Sequence, residues 1–172
     1  AVQAFAALAY HVKNQRLLLE SPAPRSTAVE HGIPRAEKIF QAAIDEGRTL
    51  LNEVEAKGLL AAFGVPVPPF AVAETREAAV AAAEAIGYPV VLKILSPDVS
   101  HKSDVNGVRL NVRDAEAVGQ QFDDIVETVK RLRPEAHVSG VLVQSMVAPR
   151  HGRELMIGVM TDRAFGPAIS FG

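Results

Sequence analysis

Lys93 and His101 are the two residues whose types and surroundings best suit chemistry on a phosphate group. Lys93 interrupts Val90–Leu95, an apolar run rich in residues that favour β-strands, and its charge would be costly to bury without a partner. His101 lies in the polar segment Ser96–Asn106, next to a lysine, two serines and an aspartate. The spacing predicts a strand that carries an ammonium group, followed by a loop that carries an imidazole.

Both residues also have a plain structural interpretation. An ammonium group fixed on a strand suits a nucleotide phosphate, but Lys93 could equally be an edge-strand lysine that reaches solvent or pairs with Glu154. His101 could accept a phosphoryl group on a ring nitrogen, with the neighbouring carboxylate orienting the ring and the serines binding the phosphate. Most loop histidines are simply solvated. On the residues alone, both interpretations stay open.

A second candidate region follows the strand that contains Gln144. Backbone groups near Gln144 could hydrogen-bond the edge of an adenine ring, while Met146 and Val147 pack on its face. Glu154 opens the next predicted strand, and its carboxylate could bind a ribose hydroxyl or orient Lys93. The alternatives are a core strand that runs out into a loop, and a surface glutamate.

Recognisable nucleotide or metal motifs are scarce elsewhere. Asn106-Gly107 could form a tight turn or part of a backbone anion nest, since both residues tolerate positive φ. The sequence contains neither the P-loop pattern nor the G-x-G-x-x-G fingerprint. The remaining histidines show no metal-ligand spacing; they are His11, His31, His137 and His151. We therefore predict no metal ligands within the sequence.

Composition excludes several classes of protein. A hydrophobic content of 48% in 172 residues is ample for a folded core. The net charge of −2 argues against duplex nucleic acid or an anionic membrane as the dominant partner. There is no cysteine, which excludes disulfides and fits a reducing compartment. No apolar run approaches the roughly 20 residues that span a bilayer, and no basic region precedes the apolar N-terminal stretch, so a signal peptide is not expected.

Periodicity and punctuation predict an alternation of helices and strands. Ser21–Pro34 contains three prolines and is predicted to be a linker. A stripe of apolar residues at spacings of three and four predicts a helix that packs on a sheet; it comprises Ala115, Val118, Phe122, Ile125, Val129 and Leu132. The other predicted helices are Ala1–Glu20, Arg35–Asp45, Thr49–Phe63 and a helix capped by Thr75 that runs to Ile86, with Gly47, Gly64 and Gly87 as stop signals.

Strands are predicted at Phe70–Ala73, around Lys93, at Val108–Val112 and at Val138–Val147, with a hairpin at Leu155–Thr161 and Pro167–Phe171. The order β-α-β-β-α-β is that of a split β-α-β sandwich, an α/β (α+β) fold, followed by a second β unit after a hinge at Pro149–Gly152. The sequence starts within a predicted helix and stops directly after a strand, so we expect it to be part of a longer protein.

Several separated blocks resemble one known family. LNEVEAKGLLAAFGVPVP, GYPVVLKILSPDVSHKSDVNGVRLNV, GVLVQSMV and GRELMIGVMTDRAFGP occur in this order. They resemble the ATP-grasp part of the ADP-forming (NDP-forming) acyl-CoA synthetases, the acetate–CoA ligase relatives of succinyl-CoA synthetase. The resemblance covers most of the sequence, from about Ile33 to Gly172.

The resemblance implies a domain organisation. Residues 1–22 would be the last helix of a preceding CoA-ligase domain, and residues 23–34 a linker. Residues 35–148 would form the first ATP-grasp subdomain, and residues 149–172 the beginning of the second.

The implied reaction interconverts a carboxylic acid, CoA and ATP with acyl-CoA, ADP and phosphate, in the cytoplasm, through a phosphohistidine. By motif match, His101 would be the phosphohistidine of the ATP-grasp half, and Lys93 would contact the ATP phosphates. Gln144, Met146 and Val147 would hold adenine, and Glu154 the ribose side. CoA would bind in the preceding domain, and the Mg²⁺ ligands would lie beyond Gly172, so this part alone is expected to be inactive.

Two departures and one alternative accompany the resemblance. Asn106 stands where the family usually has glycine, a mild change because asparagine tolerates the same backbone region. The sequence also stops before the family's Mg²⁺-binding carboxylates. Because some fused family members carry a GCN5-type acetyltransferase, the alternative is a nucleotide- or acyl-CoA-sensing module that regulates such an enzyme. Exposed apolar residues in the predicted hairpin would favour self-association.

Overall fold

The computed structural model describes residues 2–19, 27–99, 101–147, 152–163 and 166–172. The chain divides into two compact units, Ala1–Val67 and Pro68–Gly172. In chain order the elements are α1 (Val2–Leu19), α2 (Thr27–Asp45), α3 (Glu53–Ala62), β1 (Phe70–Ala73), α4 (Arg76–Ile86), β2 (Val90–Leu95), a short 3₁₀ helix (Lys102–Val105), β3 (Val108–Val112), α5 (Ala115–Leu132), β4 (Gly140–Ser145), β5 (Ile157–Asp162) and β6 (Gly166–Phe171). The predicted β-α-β-β-α-β order is confirmed.

The first unit contains α1, α2 and α3, and it corrects one prediction. Helix α2 begins at Thr27 and contains Pro34, so residues 27–34, predicted as linker, are helical. The prediction took the prolines of this segment, Pro34 among them, as signs of a linker. One proline removes one backbone donor and weakens a helix locally, but the residues around it still favour a helical backbone here. Residues 20–26 of the predicted linker lie outside the described residues.

Helix α3 begins at Glu53, later than the predicted Thr49. Its start is set by a capping box: the Asn52 side chain accepts from the backbone N–H of Glu55, and the Glu55 carboxylate accepts from the N–H of Asn52. Arg48 then donates to both carboxylate oxygens of Glu55, at 2.8 and 2.5 Å. The hydrogen bond from Arg48 lowers the pKa of Glu55 below its ordinary value.

The second unit is built on a four-stranded sheet in the order β1-β4-β2-β3. Every neighbouring pair is antiparallel. Strand β4 lies between β1 and β2, and β1 has β4 as its sheet neighbour. Strand β4 begins at Gly140 rather than at the predicted Val138. Gly140 adopts a φ of +142°, and a β-carbon at this position would lie 2.6 Å from the Ala73 carbonyl oxygen.

Helices α4 and α5 cover one face of this sheet. The predicted stripe on α5 is confirmed at its centre, where Val118, Phe122, Ile125 and Val129 are buried, whereas Leu132 at its end is exposed. The stripe packs against alternate residues of the two central strands, β2 and β4. These residues are Val90, Leu92, Ile94, Val141 and Val143. Thr75 and Asp114 cap the two helices as N-caps.

Strands β5 and β6 form a separate two-stranded antiparallel sheet. The predicted hairpin is therefore confirmed. Most of its large apolar side chains are exposed, among them Ile157, Val159, Ile169 and Phe171. Of the predicted hinge at Pro149–Gly152, residues 149–151 lie outside the described residues. Among the helices that the structure describes, none has the length and apolar content to cross a bilayer.

Candidate functional site

Lys93 lies on the face of the sheet opposite the helices. Side chains alternate between the two faces of a strand, and Leu92 and Ile94, its neighbours on β2, belong to the core beneath α4 and α5. The side chain of Lys93 is half-buried. The expected ammonium group on a strand is thus present, on the sheet face that α4 and α5 do not cover.

Gln144 shares that face with Lys93. In the β2–β4 register Lys93 is paired with Leu142 and Val91 with Gln144, so Gln144 is a diagonal cross-strand neighbour of Lys93. Val91 and Leu142 are buried and Gln144 is half-buried. The result is a cationic and an amide side chain on an otherwise apolar stretch of sheet, a surface that suits a ligand with a flat ring and a charged end.

The backbone after Gln144 is already used within the sheet. The N–H of Ser145 donates to the Pro69 carbonyl at 2.9 Å, and that of Met146 donates to the Pro89 carbonyl at 3.1 Å. Met146 is half-buried and Val147 is 64% exposed. Met146 and Val147 could therefore contact an adenine ring through their apolar side chains, because the Met146 N–H is already bonded to the Pro89 carbonyl.

The loop that follows β2 is fastened at its beginning. The N–H of Ser139 donates to the Leu95 carbonyl at 2.8 Å, and the Asp98 carboxylate accepts from the N–H of His137 at 2.7 Å. Val99 is then buried in the core. These contacts tie the first part of the loop to the connection between α5 and β4.

His101 lies between two buried anchors, Val99 and Val105. It precedes the 3₁₀ helix Lys102–Val105, and its carbonyl accepts from the N–H of Asp104 at 3.2 Å. Its side chain is exposed. A histidine with a held backbone and an accessible imidazole is well suited to meet an incoming phosphoryl group.

The loop ends in the predicted Asn106-Gly107 turn, which is confirmed. Asn106 adopts the left-handed conformation, with φ 50° and ψ 36°. A β-carbon on Gly107 would lie 2.6 Å from Ile94 Cγ2 and 2.8 Å from the Lys102 carbonyl oxygen. Glycine is therefore required at this close approach, while asparagine supplies the positive φ beside it.

Sequence reasoning did not identify Arg109. Its guanidinium donates to the Asn106 carbonyl at 2.5 Å and to the Val108 carbonyl at 3.1 Å. It also binds the Asp124 carboxylate on α5 through Nε and Nη2. The two residues are fifteen positions apart and no local pattern joins them, so this contact could not be read from the sequence.

Glu154 lies outside the strand that it was predicted to open. Strand β5 begins at Ile157, and its pairing with β6 extends only to Met156, which exchanges two backbone hydrogen bonds with Gly172 at 2.7 and 2.9 Å. Glu154 precedes that ladder, and its side chain is exposed. The prediction that Glu154 opens the strand is wrong, because β5 begins at Ile157.

Groups of three or more His, Asp or Glu side chains that could hold a metal ion do not occur in the described ranges. Two acidic side chains near the candidate site are engaged with protein groups: Asp98 with a backbone N–H and Asp124 with Arg109. The residues described here therefore do not form a Mg²⁺ site.

Comparison with sequence families gives one match over most of the chain. The family described as ATP-grasp domain matches residues 42–172. This range contains the whole four-stranded sheet, the loop with His101 and the β5–β6 hairpin.

A curated relative and two solved structures are similar to most of the chain. The acetate–CoA ligase (ADP-forming) II subunit beta of Pyrococcus furiosus is 44% identical over 137 residues, which is 80% of this chain and 57% of the relative. The chain thus spans a little over half the length of that protein.

The two structures are of a dinucleotide forming acetyl-coenzyme A synthetase 1 from Ca. Korarchaeum cryptofilum. One, in complex with coenzyme A, Ca-AMPCP and HgCl⁺, has a TM-score of 0.75 at 44% identity and covers 80% of this chain and 59% of the other. The second, in complex with coenzyme A and Mg-AMPPCP, is described with its phosphohistidine segment pointing towards the nucleotide binding site; it has a TM-score of 0.64 at 39% identity, over 80% of this chain and 56% of the other.

Proposed function

The chain belongs to the ATP-grasp domain family, and from this we propose that it is the nucleotide-binding portion of an ADP-forming acyl-CoA synthetase. The complete protein would interconvert an acid, CoA and ATP with acyl-CoA, ADP and phosphate. The matching relative is named as a ligase, which favours this function over the regulatory alternative linked to an acetyltransferase. The predicted domains at 1–22, 35–148 and 149–172, with CoA bound in the CoA-ligase domain to which residues 1–22 would belong, are part of this proposal.

One observation carries the proposal. The strand β2 presents the half-buried Lys93 on the sheet face away from the helices, and the loop that leaves the same strand presents the exposed His101. Phosphoryl transfer needs positioned positive charge and an accessible acceptor more than it needs covalent machinery. A lysine and a histidine supplied by consecutive segments meet both needs.

His101 is the phosphoryl acceptor and donor in this proposal. A ring nitrogen of the neutral imidazole attacks the phosphorus of an acyl phosphate, the P–O bond to the acyl group breaks, and the acid leaves as carboxylate. An oxygen of the terminal phosphate of ADP then attacks the same phosphorus. The N–P bond breaks, its electron pair returns to the ring, and ATP is formed.

Each part of the nucleotide has its own contacts in this proposal. Lys93 binds the phosphates, Gln144 and the side chains of Met146 and Val147 bind the adenine, and Glu154 binds the ribose side. Mg²⁺ would neutralise phosphate charge in such a reaction, but the described residues do not fit a Mg²⁺ site, so no step is assigned to the metal here. We place the reaction in the cytoplasm, a location that the cysteine-free composition supports.

Labelling tests the role of His101. We expect His101→Asn to remove part of the phosphohistidine label that the complete protein acquires from labelled ATP or acetyl phosphate. His11→Asn is the matched control, because His11 is an exposed histidine on α1. Undiminished labelling of His101→Asn would remove His101 from the phosphoryl path.

Kinetics test the role of Lys93. Lys93→Met keeps most of the aliphatic stem and removes the charge, and a charged hydrogen bond of about 1.5–3 kcal/mol corresponds to a rise of roughly 10- to 100-fold in the KM for ADP. Lys130→Met, at an exposed position in the last turn of α5, should leave that KM unchanged. An unchanged KM in Lys93→Met would contradict the phosphate contact.

A further inference from the structure

Arg109 connects the end of the His101 loop to helix α5. It lies on β3 opposite Leu92, a core residue, so it belongs to the sheet face that the helices cover. There its side chain is 19% exposed and binds the Asp124 carboxylate. Arg109 is therefore on the opposite face from Lys93 and cannot act by contacting a nucleotide bound beside that lysine.

The same guanidinium holds the turn that ends the loop. Its Nη1 donates to the Asn106 carbonyl at 2.5 Å. Asn106 is in the left-handed region, and the N–H of the next residue, Gly107, donates to the Lys102 carbonyl at 2.7 Å. Lys102 follows His101 directly. The hydrogen bonds thus run from Asp124 through Arg109 and the turn to the residue next to the imidazole.

The requirement for such a tether follows from the exposure of His101. An exposed side chain has no packing to fix its position, so the backbone beneath it must do so. In-line transfer tolerates little displacement: a shift of about 1 Å can lower a rate roughly 100-fold. The start of the loop is fixed by Asp98 and the Leu95 carbonyl, and the Arg109 tether fixes its end.

We propose that Arg109 is a positioning residue for phosphoryl transfer at His101, with the Asp124 carboxylate orienting its guanidinium. This inference rests on the proposed function, because it assigns a consequence to the phosphorylation of His101.

The neighbouring residue on α5 supplies a matched control. Asp123 binds Arg76 of α4, an arginine–carboxylate pair that joins the same helix to a different element. Asp123 and Asp124 are similarly exposed, at 54% and 58%. In the part of the chain that the structure describes, no hydrogen bond or ion pair joins Arg76 or Asp123 to the 3₁₀ helix or its turn. A purely structural effect of neutralising the aspartate should therefore appear equally in both pairs.

The experiment measures phosphohistidine formation in the complete protein with labelled acetyl phosphate, together with the KM for ADP and the midpoint of urea unfolding. We expect Arg109→Ala to slow labelling at His101 by roughly 10- to 100-fold, while the KM for ADP changes by less than about twofold because Lys93 is untouched. Asp124→Asn should slow labelling less, since the guanidinium keeps its bond to Asn106. Arg109→Lys should restore only part of the rate, because an ammonium cannot bridge both partners as a planar fork does.

Arg76→Ala and Asp123→Asn should label at the wild-type rate. Because Arg76 is 44% exposed and Arg109 19%, the two aspartate variants are the pair matched in unfolding midpoint. Equal labelling rates for Arg109→Ala and Arg76→Ala would overturn the inference, and so would full rescue by Arg109→Lys. If Arg109→Ala fails to fold, the comparison of Asp124→Asn with Asp123→Asn decides in the same way. Failure of the proposed function gives a different result, since His101→Asn would then label as the wild type does.

Discussion

The four-stranded sheet and the β5–β6 hairpin are made of similar residues and differ in what surrounds them. Val90, Leu92, Ile94, Val141 and Val143 of the sheet are all fully buried. In the hairpin, Ile157, Val159, Ile169 and Phe171 are 68–75% exposed. Both regions form strands because both contain β-branched and aromatic residues.

The difference shows that strand formation and burial are set by separate features. The sheet is buried because α4 and α5 present an apolar stripe to one of its faces, whereas the hairpin pairs only with itself in the described ranges. Self-association through the hairpin remains a prediction.

Truncation of one isoleucine in each region gives the largest expected difference. Ile125→Ala, at a fully buried position on α5, should lower the free energy of unfolding by about 2–5 kcal/mol, through lost burial and the cavity left behind. Ile169→Ala, at a position 75% exposed, should change it by less than about 0.5 kcal/mol. Urea denaturation followed by circular dichroism measures both. A cost at Ile169 as large as that at Ile125 would show that the hairpin is covered, and the contrast would be lost.

A pair of glycines, Gly107 and Gly119, gives a second contrast, this time between two positions beside the four-stranded sheet and its helices. Gly107→Ala places a β-carbon against Ile94 and a backbone carbonyl, neither of which can yield easily, so it should destabilise by about 1–3 kcal/mol. In Gly119→Ala the new β-carbon would lie 2.6 Å from Nε of Arg76 and would contact only the guanidinium end of that side chain. This end of the side chain can move. Alanine also favours the helix by up to about 1 kcal/mol, so this variant should be near neutral. Urea denaturation measures both variants. An equal loss in the free energy of unfolding would show that the cost does not depend on whether the new β-carbon contacts packed atoms or a movable side chain.

The smallest effect is expected for the ion pair between Arg48 and Glu55, whose side chains are 22% and 20% exposed. Glu55→Gln keeps the capping geometry, because glutamine also serves in a capping box, but loses the charge that binds Arg48. The expected loss at pH 7 is below about 1 kcal/mol. Glu46→Gln is the control, because Glu46 also binds Arg48 but its side chain is 64% exposed; it should lose still less.

The pH dependence of the stability that Glu55 contributes follows from its lowered pKa. A carboxylate with a depressed folded-state pKa stabilises the fold above its ordinary pKa, about 4.3, and this contribution disappears as the pH falls through the folded value. The difference between wild type and Glu55→Gln should therefore be full at neutral pH and shrink on acidification below about pH 4.3. A difference that grows on acidification would contradict the assignment to Arg48.

The sequence predicted those features that depend on local pattern. The stripe on α5 was sufficient to predict that helix and its packing on a sheet, and the apolar run around Lys93 was sufficient to predict strand β2. The spacing of Asn52 and Glu55, which is that of a capping box, also indicates the correct start of α3, but the prediction did not use it. Pro34 was misleading, because a strong local preference was outweighed by the helix around it.

Contacts between distant residues could not be predicted. The bonds of Asp98 to His137 and of Arg109 to Asp124 join segments that the fold brings together, and their geometry is decided by packing rather than by spacing. For the same reason the sequence identified His101 as a candidate but not the residues that hold its loop. The roles of Lys93, Gln144 and Glu154 in binding nucleotide stay predictions.

The strand order has a consequence for the nascent protein. Strand β1 finds its sheet neighbour in β4, which is roughly 70 residues further along the chain, and such distant pairings are slow to form. While the ribosome is still translating α5, β1 has no strand to join, and β2 and β3 can form only a two-stranded ribbon. We therefore expect the domain to acquire resistance to protease in a single late step, when residue 145 leaves the exit tunnel, rather than gradually during synthesis.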